Sequence, residues 1–147
     1  MKIIFINGPN LNMLGIREPD VYGSTTYNQL QNYIEEECKK QFIEATILQS
    51  NYEGEIINFI QEAFYEKYDG IVINPGAYTH YSYAISDALK SVNIPTIEVH
   101  LSNIHKREEF RKKSVTAEAC IGSIVGLGKE SYILAATFLK SKLKKES

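Results

Sequence analysis

The chain reads as an α/β protein: a five-stranded parallel sheet with helices on both faces. Three observations carry that reading. Short apolar, β-branched runs alternate five times with amphipathic helical stretches, the pattern of a parallel sheet joined by right-handed crossovers. The strand runs lack polar alternation, as strands buried on both faces do. At 147 residues the chain fits one domain, 1–147, which can bury roughly two thirds of its unfolded surface without disulfide or metal staples.

Taken in order, residues 2–7 (KIIFIN) are the first strand. A long connection, 8–25, follows. Connections in compact domains usually run about 4–6 residues, and longer ones are often functional. The apolar Leu11, Met13, Leu14 and Val21 argue against disorder here, and Asn10, Asn12, Arg17 and Tyr22 bring reactive or polar groups. This stretch is read as an active-site loop and partial lid. Thr26 and Gln29 form a capping box, and Leu30, Ile34 and Cys38 stripe the helix it opens.

Residues 45–49 are a second strand, and Ile56, Ile60, Ala63 and Phe64 stripe a second helix. Residues 71–74 are a third strand, stopped by Pro75 and Gly76, and Ser82 caps a helix carrying Ile85, Ala88, Leu89 and Val92. Residues 95–99 are a fourth strand, 107–111 a short polar helix, 119–125 a fifth strand. Residues 132–143 close the chain as a helix with Leu134, Ala135, Phe138 and Leu139 on one face. Five such units suit the flavodoxin-like order 2-1-3-4-5, in which ligands bind beyond the carboxyl ends of the strands near the switch between strands 1 and 3.

Bulk properties narrow the function. A net charge of -2 and a pI near 5.9 give no electrostatic footprint for nucleic acid. Lys140, Lys142, Lys144 and Lys145 read as a solvated helix end suited to the helix dipole. Cys38 and Cys120 read as small buried residues, neither a disulfide pair nor a metal clip. The first apolar run is too short for a signal peptide, and no run reaches membrane-spanning length, so the cytoplasm is the default expectation.

The sheet geometry also filters candidate residues. Strand 1 delivers Asn10, Arg17 and Tyr22 to its carboxyl end; strand 3 ends at Asn74 and delivers Tyr78, Thr79 and His80; strand 4 ends at Glu98, Val99 and His100 and delivers Ser102 and Asn103. Asn10 reads equally as a turn former or a site amide, and Asn7 reads as structural. Arg17 has surface pairing with Glu18 as its plain alternative, and Tyr22 is one of ten tyrosines. A phenol with an ordinary pKa of ~10 is favoured as the phenolate beside an Arg, and a phenolate is a general base. Glu98 and His100, two apart on a strand, point to the same side. A carboxylate there orients the imidazole and favours its protonated form, making His100 a candidate acid, with satisfied packing as the competing reading.

Other chemistries fail. Ser82 lacks a G-x-S-x-G elbow. His100 and His105 lack metal-ligand spacing. Gly126 and Gly128 belong to an incomplete G-x-G-x-x-G, with Ser131 in place of the third Gly, and read as close packing or a turn.

The string NGPNLNMLGIREPDVYG (7–23) resembles the opening signature of the type II 3-dehydroquinate dehydratases of the shikimate pathway. QSN (49–51), INPGAYTH (73–80), IEVH (97–100), REEFR (107–111) and IVGLG (124–128) continue the resemblance in order over essentially the whole chain. The resemblance implies anti elimination of water from 3-dehydroquinate through an enolate, giving 3-dehydroshikimate for chorismate and aromatic amino acid biosynthesis, with no metal, cofactor or Schiff base. It makes Tyr22 the base, Arg17 the group that favours the phenolate, Asn10 the amide holding a water on the enolate oxygen, His100 the acid and Glu98 its orienting partner. It gives Asn74, His80, Arg111, Leu101 and Ser102 to the substrate's carboxylate and hydroxyls, and has Asp87 reach in from a neighbouring subunit of a homododecamer, a tetramer of trimers. Tyr81, Ser86 and Tyr52 depart from the family's usual Thr, Arg and His, and Ser86 puts the subunit contact at Asp87 in question. Two rival readings stand beside it. A flavodoxin-like FMN or phosphate-binding module has the lack of tryptophan and of a Ser/Thr-Gly-rich first loop against it. A catalytically dead structural oligomer is opposed by the full set Asn10, Arg17, Tyr22, Glu98 and His100.

Overall fold

The computed structural model describes residues 1–16 and 18–146, without the side chains of Tyr22 and Glu146. Five strands, β1 (Lys2–Asn7), β2 (Glu44–Gln49), β3 (Gly70–Asn74), β4 (Thr96–His100) and β5 (Gly122–Val125), form one parallel sheet in the order β2-β1-β3-β4-β5. The predicted order is the observed one.

Alternation along β1 builds the three layers. Ile3 and Phe5 face one side of the sheet, Ile4 and Ile6 the other, all essentially buried. On the first side lie α2 (Tyr27–Lys40), through Leu30, Ile34 and Cys38, and α5 (Glu130–Glu146), through Tyr132, Ala135, Ala136 and Leu139. On the second lie α3 (Glu53–Tyr65), through Ile56, Ile60 and Ala63, and α4 (Tyr83–Val92), through Ile85, Ala88, Leu89 and Val92. Each fully buried aliphatic side chain contributes on the order of 1.5–3 kcal/mol, so these two clusters hold the layers together. α1 (Pro19–Tyr22) is a single turn within the long first connection, entered through Glu18 at φ 39°.

The local devices behave as the residues dictate. Thr26 Oγ1 accepts from Gln29 N at 3.1 Å while Gln29 Oε1 accepts from Thr26 N at 2.9 Å, closing the capping box. Ser82 Oγ caps α4 by accepting from Ile85 N at 3.1 Å and donates to Glu53 at 2.6 Å.

Some expectations need correction. The polar helix at 107–111 is instead two 3-10 turns, Ile104–Lys106 and Glu109–Lys112. The fifth strand is shorter than 119–125, because Ala117–Ala119 forms a 3-10 turn before a four-residue edge strand. Phe64, Leu134 and Phe138 are half-exposed rather than core. On α5 the core stripe runs through Tyr132, Ala135, Ala136 and Leu139, which rotates Leu134 and Phe138 outward. Cys120 is only partly buried, its thiol donating to Thr116 O at 3.4 Å.

Candidate active site

β1 and β3 meet in register at Asn7 and Asn74, and their chains turn over the sheet's carboxyl edge in backbone contact. Gly8 N donates to Asn74 O at 2.7 Å, and a Cβ on Gly8 would lie 2.4 Å from Pro75 O. Glycine is required there by space, not by φ. The turn continues into Asn10 in the left-handed region, φ 69°, a conformation Asn tolerates better than most residues. Asn10 N donates to Asn51 Oδ1 at 3.0 Å, and Gln49 Nε2 donates to that same oxygen at 3.1 Å and to Gly8 O at 3.2 Å. The QSN segment at the end of β2 is therefore the brace of the Asn10 turn.

Beneath the turn runs a buried polar chain. Tyr132 Oη donates to Asn7 Oδ1 at 2.6 Å and accepts from Asn74 Nδ2 at 3.0 Å, and Asn74 Oδ1 accepts from Gly76 N at 3.1 Å. Asn7 is structural, as read; its Nδ2 and the Tyr27 hydroxyl are buried without a partner at hydrogen-bonding geometry. Burial pushes the Tyr27 phenol up, and the neighbouring Asn7 amide only partly offsets it.

The residues expected to form the acid half come from β4. Glu98 and His100 are 1% and 6% exposed and do share a side: His100 Nε2 lies 3.0 Å from Glu98 Oε2. Ser114 Oγ donates to the same oxygen at 2.8 Å, and Thr116 Oγ1 donates to Glu98 Oε1. Burial alone would push the Glu98 carboxyl up; the His100 hydrogen bond and charge, with Thr116 and Ser114, outweigh it and hold it below the ordinary carboxylate range.

One pocket joins these parts. Asn10, Asn74, His80, His100, Leu101, Ser102 and Arg111 line it, together with Pro9, Leu11, Leu14, Gly76, Ala77, Ile104 and Arg107. Polar groups converge over an apolar floor, the usual make-up of a small-molecule site. His80 Nδ1 lies 2.7 Å from the carbonyl of Lys113, which only accepts, so Nδ1 carries the proton and Nε2 is left for a ligand. Arg111 Nε donates to Glu108 at 2.6 Å, and its guanidinium sits 4.9 Å from the Phe110 ring. Two arginines at one rim suit a carboxylate ligand.

Of the expected site residues, seven of the pocket's lining side chains and the buried Glu98 behind His100 come together. Asp87 does not: it is exposed on α4 and absent from that lining. Arg17 and the side chain of Tyr22 lie outside the described residues. Arg107 and Asn51 stood in the sequence reading only as members of motifs, without a role of their own, and Ser114 and Thr116 escaped it. A lone Ser or Thr carries no spacing signal, and only the chain's return past β4 brings these two to Glu98. Among the described residues no group of three metal-ligating side chains gathers, and no helix is long and apolar enough to cross a membrane.

Comparison with known proteins agrees with this architecture. Residues 1–140 match the family model described as Dehydroquinase class II. The chain is 67% identical over 144 residues to a 3-dehydroquinate dehydratase from Clostridium perfringens, covering 98% of this chain and 100% of that one. The structure superposes on the type II dehydroquinase of Butyrivibrio crossotus with TM-score 0.94 at 60% identity, covering 95% of this chain and 97% of that one. For the type II dehydroquinase of Propionibacterium acnes the TM-score is 0.92 at 41% identity, with 95% and 96% covered.

Proposed function

This chain belongs to the class II dehydroquinase family, and on that premise we propose that one catalytic domain, 1–147, dehydrates 3-dehydroquinate to 3-dehydroshikimate by anti elimination through an enolate. The activity is that of a hydro-lyase, a step toward chorismate and the aromatic amino acids. The observation that carries the reading is the Glu98–His100 pair, buried at its carboxylate and opening onto a pocket rimmed by two amides and two arginines.

The chemistry asks for three things. A proton alpha to a ketone is weakly acidic, so a strong base is needed; Tyr22 takes it as the phenolate, favoured by Arg17. The electron pair moves onto the ketone oxygen, where Asn10 holds a water as a preorganised donor, an arrangement worth a few kcal/mol in comparable sites. The enolate then collapses. The ketone re-forms, the new C=C bond appears, and the C–O bond breaks with its electrons on the departing oxygen. His100 gives that oxygen a proton so that water leaves, a contribution of about 10²–10⁴-fold. Glu98 stabilises the charged ring before transfer. Asn74, His80, Ser102, Arg111 and the backbone at Leu101 hold the substrate's carboxylate and hydroxyls. No cofactor or metal enters this scheme.

Asp87, exposed on α4, reaches the site of a neighbouring copy in a homo-oligomer, a dodecamer built as a tetramer of trimers. The reaction runs in the cytoplasm, in keeping with two free thiols. The test is an ultraviolet assay for the conjugated enone formed from 3-dehydroquinate. Steady growth of that absorbance with wild-type protein is expected, and its absence sinks the reading.

A further inference from the structure

Residues 113–116 pass β4 and touch one site histidine, His80, and the Glu98 partner of the other, His100. Lys113 O accepts from His80 Nδ1 at 2.7 Å, and Val115 N donates to Thr79 O at 2.7 Å. Between them, the hydroxyls of Ser114 and Thr116 meet the Glu98 carboxylate, one on each oxygen. Thr79, fully buried, lies with its hydroxyl 2.7 Å from Ser114 Oγ and 2.8 Å from Thr116 Oγ1. Ala117 N adds a further donor to Ser114 Oγ at 3.0 Å.

The protons in this cluster can be assigned one by one. An ionised carboxylate only accepts. If Glu98 is ionised, Ser114 and Thr116 spend their single hydroxyl protons on it, and Thr79 spends its own on one of the two from behind. The Ser114 and Thr116 hydrogens then both point at Glu98, and His100 Nε2, 3.0 Å from Oε2, brings a third. A protonated Glu98 would turn one donor against another. The other titratable neighbour, the thiol of Cys120, is pushed up to about 12, by burial first and then by the Glu98 charge, and so stays neutral. Of the groups bonded to Glu98, His100 is the one that can carry a positive charge opposite the buried carboxylate. With Nε2 turned to Glu98, Nδ1 is the ring atom available to the pocket.

We propose that Ser114 and Thr116, backed by Thr79, are positioning residues of this site: they hold Glu98 as an ionised acceptor and thereby fix His100 as an imidazolium whose Nδ1–H is delivered to the leaving hydroxyl. The inference deepens the dehydratase reading and rests on it for the identity of the leaving group. The transfer balances: Nδ1 loses its proton as the C–O electrons become a lone pair on water, and His100 is left neutral with Nε2–H on Glu98.

The test compares Thr116→Val, which deletes the hydroxyl at nearly constant shape, with Thr116→Ser, which keeps it. Loss of a hydrogen bond to a charged group is expected to lower kcat by about ten- to a hundredfold with KM little changed, and Thr116→Ser is expected to recover most of the loss. The chain has three histidines, so 15N spectra of histidine-labelled protein resolve the rings, with His100→Asn identifying the signal. His100 should show two protonated nitrogens in wild type and a neutral population in Thr116→Val. If Thr116→Val does not fold, Ser114→Ala carries the same comparison. An unchanged His100 signal, an unchanged kcat, or an equal loss in Thr116→Ser overturns the proposal. A wild-type protein without dehydratase activity would instead overturn the assignment of the reaction, and the spectra would still report on the pair.

Discussion

Removing a proton and delivering one are separable by substitution at single residues. Tyr22→Phe keeps the ring and deletes the oxygen proposed to take the proton. Turnover should fall by several orders of magnitude, while calorimetry with a substrate analogue should still detect binding; a fully active variant would move the base elsewhere. Glu98 makes a second, independent prediction through stability. Its folded pKa is lowered, so its contribution is fully present above the ordinary carboxylate value of ~4.3 and is lost as pH falls through the folded value. The slope of unfolding free energy against pH below that point should be shallower in Glu98→Gln than in wild type. Denaturant titrations at stepped acidic pH measure it, and equal slopes would mean that the buried carboxylate is not linked to folding.

The elements decide where those residues stand. The turn after β1 and the turn after β3 pack backbone to backbone, with room at Gly8 for hydrogen alone, since an added Cβ would sit 2.6 Å from the Pro75 carbonyl carbon as well as closer to its oxygen. Gly8→Ala must push the two strand ends apart. It is expected to cost on the order of 1–3 kcal/mol, as overpacking does, and to lower activity more than Gly122→Ala, where a Cβ meets nothing within 4 Å. Thermal unfolding and turnover of the two variants make the comparison. The same elements mark how far the sequence could be read. The Thr26 and Ser82 caps and the Glu98–His100 pairing were legible because period and spacing are local properties, and the strand order because five alternating units suit one known doubly wound order. The helix faces were less so: Leu134 and Phe138 are apolar yet half-exposed, and only the pose of α5 against β3 and β4 decides which apolar residues turn inward. The 107–111 segment misled because its charged residues suit a helix, whereas the chain breaks there into two tight turns that aim Arg107 and Arg111 at the pocket. Ser114 and Thr116 were invisible because their meaning comes from Glu98, 16 and 18 positions away.

At the scale of the whole molecule, a doubly wound sheet brings the ends of β1, β3 and β4 to one edge and leaves α4 outside it. Asp87 is exposed there, while Ser86 beside it is buried with an unpartnered hydroxyl, so the side chain at 86 faces this chain's own interior. If Asp87 serves a neighbour's site, two inactive variants must complement one another. In an assembly mixed from Asp87→Ala and Tyr22→Phe chains, each site draws Tyr22 from its own chain and Asp87 from the next. A closed ring assembled at random from equal amounts gives about one site in four with both groups intact. Co-expressed variants should therefore recover about a quarter of wild-type turnover per site, although each alone is nearly inactive. If Asp87 instead acted within its own chain, every site would lack one group or the other, and mixing would restore nothing.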